Sequence, residues 1–234
     1  MKKHIPLLLV LLSFSSVGQD FSNGTFVWLG GRLKLSEPPY GLKKISQAVA
    51  FKYGISIKRD KKFYNSLSLR EKFTYNMLYG ESFMQNCSMV MQDTEIEKKI
   101  FARLPSPFGE NHWSMEQRSF FTNNRDSVIY LMKECIGRTK EIGVNFKNVF
   151  TDINAKELIP VFSSTYLLTK KDHDILTALA LLMKVNGYPP FLKTGVYYQL
   201  YGNQSDYSAF IPFTAADGKL ILSLSTDFYN AGKK

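Results

Sequence analysis

The sequence predicts a mainly α, single multi-helix domain, an irregular bundle or a short array of helical hairpins around one buried central helix. Three observations predict it. Residues 175–183 are apolar nearly all round, and a helix without a polar face must be surrounded by protein. Helix-start signals recur, with Ser68 followed by Glu71, Thr94 by Glu97 and Ser114 by Gln117. In each the hydroxyl can accept from the third helical amide while the later side chain reaches back to the cap amide. No run rich in Gly, Ser or Pro divides the chain, so one domain over residues 19–234 is the simpler organisation.

The first 18 residues read as an export signal. Lys2 and Lys3 precede a short apolar run from Ile5 to Leu12, and Ser16 and Gly18 stand three and one residues before the expected cleavage ahead of Gln19. A membrane span needs about 18 to 20 apolar residues, and this run fades into serines. A mature protein in the periplasm or outside the cell, from a bacterium, is therefore expected, with no transmembrane segment. The sequons at Asn23, Asn86 and Asn203 matter only if the host glycosylates exported proteins, and a bacterial source discounts them. With 44% apolar, 14% aromatic and 21% charged residues, a disordered tail, a collagenous chain and a disulfide-dense miniprotein are excluded.

Residues 19–62 form a mixed, basic segment expected to pack on the helical body. Residues 26–29, then Gly30-Gly31 and Leu33-Lys34-Leu35, read as a small β-hairpin. After Pro38-Pro39, Leu42, Ile45, Val49 and Tyr53 recur at helical spacing up to Gly54. Leu69, Phe73 and Met77 share a face behind the Ser68 cap, and Ile96, Ile100 and Leu104 behind Thr94. The Ser114 segment is expected to break near Asn123-Asn124 and to run on through Val128, Leu131, Met132 and Cys135. Asn154 with Glu157 reads as a cap before a helix bent by Pro160. Asp172 reads as the cap of the central helix, which Asn186-Gly187 ends. Pro189-Pro190 start a helix through Val196 and Leu200 to Gly202. Residues 214–229 fit a helix capped by Thr214 with Asp217, although Leu220, Leu222 and Leu224 also alternate as in a strand.

The chain carries formal charge +10, and much of it is local. Lys43, Lys44, Lys52, Lys58, Arg59, Lys61 and Lys62 stand against Asp60 alone. Such a patch attracts anionic surfaces, lipid headgroups or acidic glycans outside the cytoplasm; no nucleic-acid motif accompanies it. Cys87 and Cys135 could be bridged in an oxidising compartment, or Cys135 could be a plain core thiol.

Motifs for phosphate loops, zinc hydrolases and serine hydrolases are missing from the sequence, and no cofactor or metal is expected. A thiol hydrolase would place Cys87 with His112 or His173 as base, oriented by Asp126, Asp172 or Asp174. The favoured reading is a non-enzymatic module that binds an envelope protein or glycan. Its expected surface is the stiffened segment 105–113, where Glu110, His112 and Trp113 combine a carboxylate, an imidazole and a broad ring. A second aromatic cluster, with Tyr197, Tyr198 and Tyr201 at its centre, offers rings with polar tips.

Overall fold

The computed structural model describes residues 30–50, 59–84, 95–206 and 208–232. The expected export signal, residues 26–29 of the hairpin, Tyr53, Lys52, Lys58, Cys87, Thr94 and Tyr207, a further member of the second aromatic cluster, lie outside them. A 3₁₀ turn at Gly30–Leu33 precedes α1 (Leu42–Ala50), α2 (Lys61–Ser66) and α3 (Leu69–Leu78). Strand β1 (Ser82–Phe83) follows. A second 3₁₀ turn, Ile96–Lys98, leads into β2 (Lys99–Phe101), and β3 is Asn111–His112. The remaining chain forms α4 (Met115–Asn123), α5 (Arg125–Thr139), α6 (Val144–Asp152), α7 (Ile159–Thr169) and α8 (His173–Val185). It ends with α9 (Pro189–Leu192), α10 (Gly195–Tyr201), β4 (Phe210–Pro212) and α11 (Ala215–Ala231). The protein is thus a mainly α single domain, and among the described residues two small sheets, β1 with β3 and β2 with β4, are antiparallel pairs.

Both serine boxes close as their spacing demands. Ser68 accepts from the Glu71 amide at 3.3 Å and returns its own N–H to the Glu71 carboxylate at 2.8 Å. Ser114 and Gln117 repeat this at 3.3 and 3.0 Å. The expected break falls at Asn124, between α4 and α5. Thr214 caps α11, its hydroxyl accepting from the Asp217 amide at 3.1 Å, so residues 214–229 are helix rather than strand.

The core gathers on α8. Ten of its thirteen residues are buried, and α6, α7, α11 and β2 cover it on all sides, as the lack of a polar face requires. Helix α7 folds back on α8 across residues 170–172, and the Phe150 ring of α6 stacks on Phe162 of α7 at 4.1 Å. A satellite cluster of Ile45, Val49, Tyr64, Leu67 and Tyr75 ties α1 and α2 to α3.

Four local expectations are corrected. Leu33 closes a 3₁₀ turn, and residues 34 and 35 are not a paired strand. The apolar residues Ile96 and Ile100 belong to a 3₁₀ turn and to β2, because pairing of Ile100 with Ile211 supplies the partner that helical spacing alone could not reveal. Asn154 adopts φ 51° and exchanges side-chain hydrogen bonds with Asn186 at 3.1 and 2.8 Å, tying the end of α6 to the end of α8 instead of capping a helix. Pro160 is the second residue of α7, where its missing N–H is one of the four that no helix satisfies, so it removes no intrahelical bond.

Candidate functional site

A cavity of about 910 Å³ opens at the N-terminus of α8. Its walls are four separate pieces of chain: residues 32–37, the 3₁₀ turn at 95–99, the α5–α6 turn at 139–143, and residues 165–175 around the α7–α8 turn. The first wall is held by α6. The amide of Val144 donates to the Lys34 carbonyl at 2.9 Å, and that of Gly143 to the Ser36 hydroxyl at 2.7 Å. The Asn145 side chain accepts from the Ser36 amide at 2.9 Å and donates to the Ser36 carbonyl at 2.8 Å. These bonds satisfy amides that the start of α6 leaves open. Only glycine fits at 143, because a Cβ there would lie 1.9 Å from the Ser36 nitrogen.

Two ion pairs brace the walls, one of them largely buried. Arg32 grips Asp174 through two bonds of 2.8 Å, its guanidinium lying 3.7 Å from the Phe101 ring centre. Lys147, 3% exposed, reaches out of α6 to Asp172 at 2.7 Å. Asp172, although it precedes α8, makes no side-chain cap bond and holds this contact instead. Glu95 and Lys140 of the lining, and Lys170 in the α7–α8 turn beside it, hold left-handed backbone conformations without being glycine; the two lysines end α5 and α7, where a cation suits the helix dipole.

His173 sits in this wall with its ring stacked on Phe213 at 3.8 Å and its Nδ1 buried without a hydrogen-bond partner. Burial holds its pKa below the usual imidazole value, against the opposing pull of the Lys170 and Lys99 carbonyls and of Asp172 and Asp174. The imidazole is therefore neutral at pH 7. Nothing in the sequence spacing joins residues 32–37 to 165–175. One signal was present: Glu37 precedes Pro38, which biases that residue to extended backbone.

Of the residues singled out from the sequence, Asp172, His173 and Asp174 share the cleft. His112 and Glu110 lie elsewhere, on and beside the β1–β3 ribbon. Trp113 is a core residue, not a docking ring. It is 6% exposed, its Nε1 donates to the Asn76 carbonyl at 2.6 Å, and Phe108 and Phe121 meet it edge-on at 5.4 and 5.3 Å. After it, the Ser114 hydroxyl joins a polar network in which Arg59, Tyr75 and Ser114 all donate to Glu81. Tyr197 and Tyr201 pack edge-on against Phe191, burial drives the Tyr201 pKa upward, and Tyr198 alone of the three is exposed.

The basic patch is also thinner than the sequence suggested. Lys43, Lys44, Lys61 and Lys62 are exposed, with Lys44 paired to Glu71 at 3.0 Å. Arg59 turns inward to Glu81 at 2.7 Å and lies 4.2 Å from the Tyr64 ring centre. Cys135 is a buried free thiol, and burial raises its pKa; among the described residues no group of His, Cys, Asp and Glu could hold a metal ion. Comparison of the chain with protein-family models, with characterised proteins and with solved structures finds no match.

Proposed function

We propose that the mature chain is an exported binding module of the cell envelope whose ligand surface is the cleft before α8. The observation that carries this reading is the cleft itself: about 910 Å³ of space whose walls come from distant parts of the chain. Those walls are tied by the Arg32–Asp174 and Lys147–Asp172 pairs. A site braced in this way loses little ordering entropy on binding. The burial of Trp113 removes the broad ring on which the segment 105–113 depended as a docking surface.

The reading is tested by nuclear magnetic resonance titration with two probes, the glycan chitotetraose and a pool of random heptapeptides. Ligand entry shifts the His173 Cε1–H signal and the methyl signals of Thr165 and Thr169 and leaves the Trp113 indole unmoved. Binding that perturbs Glu110 and His112 while the His173 and threonine signals stay in place refutes the cleft.

A further inference from the structure

We propose that the cleft captures an extended polypeptide segment by adding it as a strand beside residues 35–37, an inference that rests on the cleft being the binding surface. The first argument is the distribution of backbone bonds. The carbonyl of Lys34 and both backbone groups of Ser36 are spent on Val144 and Asn145 of α6. In extended chain, successive residues direct their N–H and C=O to opposite edges. Leu35 and Glu37 therefore present theirs away from α6, and both residues line the cleft. No hydrogen bond engages these backbone groups among the described residues. Two N–H donors and two C=O acceptors thus stand along one edge with no partner among the described residues, the requirement for strand addition.

The second argument is charge. Six carboxylates and five lysine or arginine side chains line the cleft; Arg32 with Asp174 and Lys34 with Glu141 pair with each other, and Glu95 and Asp172 pair with Lys98 and Lys147, so among the described residues Glu37, Glu97, Lys140 and Lys171 are left to face a ligand. A polyanion would meet the carboxylates, and a polycation the basic groups. A peptide carrying both signs meets complementary partners among these four side chains. The lining described contains no Phe, Tyr or Trp on which a sugar ring could stack. Leu35, Ile96, Ile142 and Ile175 supply apolar contact for alternate side chains. The occupant is therefore an extended segment of mixed charge from a partner protein. Pro38 and Pro39 end the edge after Glu37.

The experiment starts from phage-displayed random heptapeptides selected on the full mature chain, after which the enriched peptide is synthesised. Replacing Leu35 by Pro removes a free donor without breaking a native bond, and Leu35→Ala keeps the donor while trimming the side chain. Loss of one backbone bond weakens binding by up to about tenfold. Leu35→Pro is expected to show that loss, with Leu35→Ala within about threefold of the parent. N-methylation of the peptide at alternate residues tests the same bonds without touching the protein: methylation on the docking edge weakens binding, and on the other edge it does not. Amide exchange at Leu35 and Glu37 slows when peptide binds. The proposal is overturned if both peptide edges tolerate methylation or if these two amides exchange as before; a peptide that still shifts His173 then leaves the cleft reading standing. It is also overturned if no peptide enriches, and chitotetraose then decides separately whether the cleft binds anything.

Discussion

Arg32 and Asp174, 142 positions apart in the chain, meet through two 2.8 Å hydrogen bonds, with the Asp174 side chain only 4% exposed. This pair pins the N-terminal wall of the cleft to the first turn of α8. Removing one partner of such a buried pair strands a charge, whereas replacing both with apolar groups does not. Arg32→Ala is expected to cost about 3–5 kcal/mol. The double replacement Arg32→Met with Asp174→Leu should cost much less. Urea unfolding midpoints of the three proteins decide it, and equal midpoints for the single and double variants would count against the pair.

Two glycines separate crowding from propensity. Gly143→Ala drives a Cβ into the backbone of residues 35 and 36 and is expected to destabilise by about 1–3 kcal/mol. It should also weaken any ligand bound in the cleft. Gly137, inside α5, would gain a Cβ with nothing within 4 Å, so Gly137→Ala is expected to stabilise by about 0.5–1 kcal/mol. Thermal melts of the two variants moving in opposite directions meet the expectation.

Trp113 provides a check on the role of the segment around it. Trp113→Ala removes a ring held between Phe108 and Phe121 and leaves the Asn76 carbonyl without its donor. A loss of about 3–5 kcal/mol is expected. Trp113→Phe keeps a ring and loses the bond, so it should cost less. A Trp113→Ala protein that unfolds at the parent urea concentration would return this residue to the surface.

The depressed pKa of His173 sets a pH window. Because the folded state resists protonation of this group, the unfolded chain binds the proton first as pH falls below about 6.5, and stability falls with it. His173→Phe preserves stacking on Phe213 and removes the titration. Its stability should therefore be flatter between about pH 7 and pH 5 than that of the parent. The carboxylates of Glu71, Glu134 and Glu157, held low chiefly by their hydrogen-bond donors, lose their contributions only at still lower pH. Unfolding curves at three pH values distinguish the two windows, and identical slopes for parent and His173→Phe would remove His173 as the cause.

Where the cause lies within one helical turn, the residues alone settle the structure. The boxes at Ser68 and Ser114, the Thr214 cap and the break at Asn124 each involve partners at most four residues apart. The central place of α8 follows as directly from nine consecutive positions with no polar face. Where two patterns were compatible with the same residues, distant chain chose between them. Ile100 is strand because Ile211 pairs with it, and Trp113 is core because Asn76, Phe108 and Phe121 close around it. Asp172 makes no side-chain cap bond, and its carboxylate is instead paired with Lys147 of α6. The cleft belongs entirely to this second class: its walls are separated by scores of residues, and the bonds that join Ser36 to Gly143 and Arg32 to Asp174 exist only once the chain has folded back on itself.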